Sequence, residues 1–552
     1  MKKIPKLVFQ WVIIFLCTLF FSCNNKNEKV TRLPKEAMES DWKMSPRDYS
    51  INKSNAYSDI FLDSLKLEAY ITKKKLNDTL SRRIRSFYNV RNFQFAWFDS
   101  KGFMDHTLNF WNLHEYYNIC SDDSNLDDKA LKKRMDALLT ETSFKVRETD
   151  NGFANTELTL TEHFIHHILT NYEKGAIRRR EMERFIPLQK HDAMLLADSM
   201  LSKKHKDNKH YSDINQPYKL LSEQMQKYYT IVKNNGYEPI VIKEKRLQKG
   251  AATPTVLAVK KRLGITGELQ EGDTSMMFSE NLVVAVKTFQ NSHGLLETGI
   301  ITPGLVKVMN VPAIQRLKQL LINMDRMRWI PTDPEGNLLI VNIPEFVLHV
   351  FEGKKQVFKM PVVVGKEGHN TTIFTGNINQ VVFSPYWNVP PNIVRKEIVP
   401  AMRQNSGYLK SNNMEQTGID EDGVPIIRQL PGADNSLGKV KFLFPNNYDI
   451  YFHDTPAKEL FNQEKRAYSH GCIRLSDPVK MANYLLRNQK EWTPDKVNIA
   501  MNSGVEKVVK LTNEVPVLIT YFTAWVGGNG LLNFRDDVYG KDTKLIGKRF
   551  VK

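Results

Sequence analysis

From about residue 51 to 248 apolar positions recur at spacings of three and four, as in Ile60-Leu62-Leu65-Leu67 and again in Leu158-Phe164-Ile165-Ile168-Leu169-Tyr172. One apolar stripe per helical turn predicts helices that each bury one face, so 51–248 reads as an α-helical domain. Its aromatic run Phe95-Ala96-Trp97-Phe98 reads as core packing rather than a ligand grip. Residues 251–312 have a shorter rhythm. Val256-Val259-Leu263 makes one helix face and Val283-Val286-Phe289 a second, and Gly294-Leu295 and Gly299-Ile300 punctuate the end, which predicts a compact three-helix module. A basic helix in 313–335 then connects to a different texture.

From 336 to 540 the apolar period falls to two or to unbroken short runs, the mark of strands. Leu338 to Ile343, Phe346 to Phe351, Val381-Val382-Phe383, Lys441 to Phe444 and Asp449 to His453 are strand-like. Residues 391–430 are more polar and partly helical, which predicts an insertion over the sheet. Val515 to Phe522, Gly527-Gly528 and Leu531 to Phe534 predict a closing hairpin, and 541–552 a tail. The fold class is therefore multidomain α+β, with a helical domain, a small three-helix module and a mainly-β domain carrying an insertion.

The N-terminus changes where this body works. Lys2, Lys3 and Lys6 precede an apolar run from Leu7 to Phe21, so 1–22 reads as an export signal. A small residue before Cys23 and polar residues after it resemble a bacterial lipoprotein cleavage site, which implies a lipid anchor on Cys23 and a protein facing the periplasm. Residues 23–50 are polar, with Pro34 and Pro46, and read as a tether. Removing 1–22 takes three lysines from a net charge of +17, leaving 17 − 3 = +14. A basic exported protein suits an acidic polymer or membrane surface, and dispersed lysines that keep it soluble are the plainer reading; nucleic acid is not an expected partner.

Of four cysteines, Cys17 and Cys23 belong to the export segment, and Cys120 and Cys472 remain in the body. Cys120 follows Tyr116 and Tyr117 in a helix pattern and reads as buried, so both thiols are expected to stay unpaired. The histidines His163, His166 and His167 lack the partners of a zinc site, and no glycine loop suited to phosphate appears, so neither metal nor cofactor is expected.

The run Ser469-His470-Gly471-Cys472-Ile473-Arg474-Leu475, with His453 nineteen residues before the cysteine, carries the chemistry. An imidazole can take the thiol proton and leave a thiolate for attack on a carbonyl. The Gly471 and Cys472 amides are placed to serve a developing oxyanion. Two histidines compete as base. His453 ends a strand in which alternation puts Tyr451 on the same face, so it is favoured, leaving His470 to position loop or substrate and Tyr451 to line the cleft.

His453, the fifteen residues 454–468 and Ser469-His470-Gly471-Cys472 resemble the signature of the YkuD-type L,D-transpeptidase family. The segment "AVKTFQNSHGLLETGIIT" resembles a helical peptidoglycan-binding module, and the domain order is similar to that of large Gram-negative members. The resemblance implies that Cys472 is acylated by the third stem-peptide residue of a donor tetrapeptide, releasing D-alanine. An amine of a neighbouring stem then resolves the thioester as a 3-3 cross-link. It also implies that His453 is the base, that the Asp454 carbonyl orients it, and that carbapenems acylate the cysteine. Arg474 stands where some members carry asparagine, so its role is open between substrate carboxylate contact and loop salt bridge. The competing functions are an L,D-carboxypeptidase or other cysteine wall hydrolase, and a non-catalytic wall binder. Papain-like enzymes place the cysteine before the histidine, the reverse of the order here.

Overall fold

The computed structural model describes residues 44–121, 127–141, 144–172, 216–270, 272–327, 336–353, 355–446 and 448–550. The export segment, Cys23 and most of the tether lie outside the described residues. Within the described residues no helix is long and apolar enough to cross a membrane. The chain forms two compact units, one of residues up to Phe110 with Lys129–Met194, the other of Trp111–Asp128 with Leu195–Lys552.

In the first unit, helix α1 (Ser64–Lys74) starts where the Asp63 side chain accepts the Leu65 amide, and α2 (Asp78–Asn89) where Asn77 accepts that of Leu80. Strands β1 (Phe98–Asp99) and β2 (Gly102–Phe103) form a small hairpin. Helices α3 (Asp105–Cys120), α4 (Lys129–Thr140) and α5 (Asn151–Tyr172) complete the helix set that begins here. Phe95, Ala96, Trp97 and Phe98 are all buried, with Trp97 stacked 5.0 Å from Phe110. The buried Glu157 carboxylate accepts the Ala96 and Trp97 amides, and burial pushes its pKa up to about 7. The aromatic run is thus core. Residues 44–50, expected to be tether, instead dock on this unit: Ser45 N donates to Ser86 Oγ (3.0 Å) and Asp48 N to Asn89 O (2.9 Å).

The helical stretch 51–248 divides between the two units. Tyr116, Tyr117 and Cys120 of α3 pack with Leu221, Met225 and Tyr228 of α6 (Gln216–Lys233), and with Leu317, Leu320 and Phe534. These apolar side chains are buried in one cluster. The three-helix module is present as α7 (Pro254–Thr266), α8 (Glu280–Ser292) and α9 (Pro303–Met309), built on Val256, Val259, Leu263, Val286 and Phe289. Pro254 opens α7 and Gly267, at φ 86°, ends it. Helix α10 (Ala313–Met327) is no free connector, because Asn323 bonds Thr523, and Arg326 pairs with the buried Asp542 at 2.6 Å.

The mainly-β region runs β3 (Asn337–Asn342), β4 (Val347–Glu352), β5 (Lys355–Gly365), β6 (Phe374–Phe383), β7 (Trp387–Asn388), β8 (Met414–Ile419), β9 (Pro425–Gln429), β10 (Val440–Leu443), β11 (Phe452–His453), β12 (Ala467–Ser469), β13 (Ile473–Leu475) and β14 (Lys507–Thr520). The ring β5-β13-β11-β10-β6-β14-β3-β4 closes because β4 pairs with both β3 and β5, with β12 added alongside β5. Alternate residues such as Leu339, Val341, Val362, Val364, Phe452, Ile473, Val517 and Ile519 fill the core with Met481 and Leu486 of α11 (Pro478–Leu486) and Val497 of α12 (Pro494–Met501).

The insertion has two parts, a helical run over 391–404 and the three-stranded sheet β7-β9-β8. The expected hairpin lies elsewhere. Val515–Thr520 is part of the long strand β14, paired with β3 and β6, and the hairpin is β15 (Ala524–Val526) with β16 (Leu532–Phe534). The expected tail at 541–552 contains helix α13 (Lys541–Arg549).

Candidate active site

Strands β11 and β13 run parallel, with Phe452 opposite Ile473 and His453 opposite Arg474. Phe452 and Ile473 are fully buried in the core, so their neighbours in sequence must face the other way. Tyr451, His453, Cys472 and Arg474 therefore share one face. A slip of one residue would expose Phe452 and Ile473, each worth about 1.5–3 kcal/mol of burial, so the core locks the register of the site.

His453 is buried, and its Nδ1 lies 2.5 Å from the Asp454 carbonyl. A carbonyl only accepts, so Nδ1 carries the proton and Nε2 keeps its lone pair. Burial, reinforced by the Arg474 charge, pushes the imidazole pKa down to about 3. Asp454 is itself held on three sides: its amide donates to Val440 O (2.9 Å), Lys439 N donates to its carboxylate (2.9 Å), and Lys458 pairs with it at 2.6 Å. Gly438 makes this possible, since a Cβ there would sit 2.4 Å from the Asp454 carboxyl.

Cys472 is partly exposed and unpaired, and its Sγ donates to the Asp449 carbonyl at 3.5 Å. Burial by its surroundings raises the thiol pKa, while hydrogen bonds from the Tyr451 amide and side chain act in the opposite sense. The Tyr451 ring meets His453 edge-on at 5.8 Å. Burial thus favours the neutral form of both the Cys472 thiol and the His453 imidazole. The second body cysteine, Cys120, is buried in its helix and pushed up to about 12 by that burial.

Ser469 closes the motif loop, its Oγ donating to Cys472 O (2.5 Å) and accepting the Gly471 amide (3.1 Å). The expected pair of oxyanion donors, the Gly471 and Cys472 amides, is thus differently engaged here. The Gly471 amide is already engaged, and only the Cys472 amide has no acceptor among the described residues. Gly471 has φ +125°, a conformation that side chains rarely adopt. His470 is exposed, stands edge-on to His369 at 5.0 Å, and has Nε2 3.1 Å from Glu397 in the insertion. Arg474 makes no salt bridge among the described residues, and its buried Nε has no hydrogen-bond partner. Burial lowers its pKa, and the nearby Cys472 and Glu459 oppose that shift.

Sequence reasoning missed Asp449, Thr371 and Glu397. Asp449 adopts φ 52°, an uncommon conformation for a residue with a side chain, and so presents its carbonyl to the thiol. Thr371 sends its Oγ1 to Gly471 O at 2.8 Å from a loop a hundred residues earlier. No local pattern marks either residue.

Comparison with known proteins gives three family matches: a YkuD "L,D-transpeptidase catalytic domain" at residues 336–504, a "Scaffold domain" at 82–225 and a "Putative peptidoglycan binding domain" at 253–309. A protein of Haemophilus influenzae described as "Putative L,D-transpeptidase" is 29% identical over 243 residues, covering 41% of this chain and 49% of that protein. The chain thus spans about half the length of that relative. Among solved structures, an L,D-transpeptidase from Mycobacterium smegmatis is 14% identical, covering 33% of this chain and 58% of its own, with a TM-score of 0.19. One from Stackebrandtia nassauensis is 14% identical, covering 51% and 97%, with a TM-score of 0.21.

Proposed function

With an L,D-transpeptidase catalytic domain, a scaffold domain and a peptidoglycan-binding domain in one chain as the premise, we propose that this protein forms 3-3 cross-links in peptidoglycan through a Cys472 acyl-enzyme. The observation that carries the reading is the shared face of Tyr451, His453, Cys472 and Arg474, with His453 Nδ1 committed to Asp454 O. His453 Nε2 takes the thiol proton as Sγ attacks the carbonyl of the third stem residue. The Cys472 amide serves the oxyanion. Collapse expels D-alanine, whose amine takes the proton back from His453, and leaves a thioester. The acceptor amine attacks this carbonyl and gives its proton to His453, which passes it to Sγ as the C–S bond breaks, so the amide forms and the thiol is restored. A lone Arg474 Nε beside Cys472 suits a carboxylate of the donor stem, because a buried donor without a partner is rare unless a ligand completes it.

Peptidoglycan lies outside the cytoplasmic membrane, so this substrate is consistent with the export segment and with anchoring through Cys23. No step calls for a metal or cofactor. Incubating the purified protein with tetrapeptide fragments and reading products by mass spectrometry tests the proposal. A cross-linked dimer with released D-alanine is expected. Tripeptide alone would make the protein a carboxypeptidase, and no product from either route would leave a wall binder.

A further inference from the structure

Glycine places few limits on its own backbone, so the orientation of the Gly471–Cys472 peptide must be set from outside the loop. That peptide carries two groups of consequence, the Gly471 carbonyl and the Cys472 amide. In a trans peptide they lie on opposite edges of one rigid plane, and the described residues contain no cis bond. Holding the carbonyl therefore aims the amide.

The hold is a closed set of buried hydrogen bonds. Thr371 Oγ1 donates to Gly471 O (2.8 Å) and accepts the Gly365 amide (2.9 Å). The Thr371 amide donates to Tyr539 Oη (3.4 Å), and Tyr539 Oη donates to Gly365 O (2.7 Å). Gly365 admits no side chain, since a Cβ would sit 2.0 Å from His369 O. Tyr539 is fixed in turn, its amide donating to Tyr521 Oη (2.8 Å), which donates to Asp537 (2.7 Å). Tyr521, Asp537 and Tyr539 all lie beyond residue 504, where the catalytic-domain match ends.

We propose that Thr371 and Tyr539 are positioning residues that aim the Cys472 amide as oxyanion donor by fixing the plane of the Gly471–Cys472 peptide. The C-terminal segment then helps to place the oxyanion donor. This rests on the acyl-transfer reading, and it fails separately from it. Two reactions at the same sulfur distinguish the roles. Acylation by a carbapenem passes through an oxyanion. Alkylation by iodoacetamide forms an S–C bond at saturated carbon and releases iodide, with no oxyanion at all.

The experiment measures both rates on the full chain by mass spectrometry, with circular dichroism to establish folding. Thr371→Val should lower acylation by roughly 10–10³-fold, the upper end being the loss seen when a whole donor is removed. Alkylation should stay unchanged, and Thr371→Ser should restore acylation. Tyr539→Phe should lower acylation in the same selective way by a smaller factor, and it carries the comparison if Thr371→Val does not fold. Acylation at the wild-type rate in folded Thr371→Val or Tyr539→Phe, or a parallel fall in both reactions, would overturn the proposal while leaving the transpeptidase reading in place. A wild-type protein that alkylates but is never acylated would overturn both.

Discussion

The Cys472 thiol is held mainly neutral by burial and the His453 imidazole by burial with the Arg474 charge beside it, so the pair differs from a preformed thiolate–imidazolium couple. The thiol pKa lies above its ordinary value, so thiolate is scarce at neutral pH and grows as pH rises. Alkylation of Cys472 by iodoacetamide should climb about tenfold per pH unit between pH 6 and 8, as expected for a thiolate nucleophile below its pKa. A rate that levels off near pH 6–7 would mean a depressed thiol pKa. Between the two histidines, His453→Ala should slow carbapenem acylation by ~10²–10⁴-fold, the usual loss for a general base. His470→Ala should slow it less, since His470 is exposed and faces Glu397. Single-turnover rates showing the reverse order would move the base to His470.

At the scale of elements, the mainly-β region is clamped by parts of the chain that read as accessory. Helix α13 places Asp542 in a buried pair with Arg326 of α10, while Asp542 also accepts from Thr523, which Asn323 holds. Removing one partner leaves the other charge buried and uncompensated. Asp542→Ala is therefore expected to lower unfolding stability by about 3–5 kcal/mol in urea titrations followed by circular dichroism. A loss below about 1 kcal/mol, the scale of an exposed ion pair, would show that α13 is a dispensable tail.

At the scale of the whole molecule, the three-helix module is joined to the C-terminal hairpin. Arg535 donates to Ser292 O (3.0 Å), and His293 lies against Phe534 with ring centres 5.5 Å apart. Excising the module would expose that hairpin, so point changes test its role more cleanly. Val284 and Leu296 are 59% and 67% exposed and thus do not hold the module's core. The double variant Val284→Asp with Leu296→Asp should reduce pelleting with insoluble peptidoglycan and leave cleavage of small soluble tetrapeptides unchanged, because tethering matters only when one polymer carries both sites. Unchanged pelleting would make these two side chains bystanders.

Short-range periodicity and motif spacing made most of the strands, the three-helix module, and the place of His453 on the same strand face as Tyr451 legible, because a residue's face in a helix or strand depends on its near neighbours. The burial of Phe95 to Phe98 and of Cys120 was readable for the same reason. The division of the helical region between two units, the docking of 44–50, the place of Val515–Thr520 in the central sheet and the engagement of the Gly471 amide by Ser469 were not. Nor were the hydrogen bonds that tie Thr371 to Gly471 O and Tyr539 to Gly365 O, reaching the Cys472 loop from 100 residues before Gly471 and from residues beyond 504. Each of these is set by which surfaces and polar groups meet across long separations, where burial and hydrogen-bond satisfaction choose partners that local pattern does not encode.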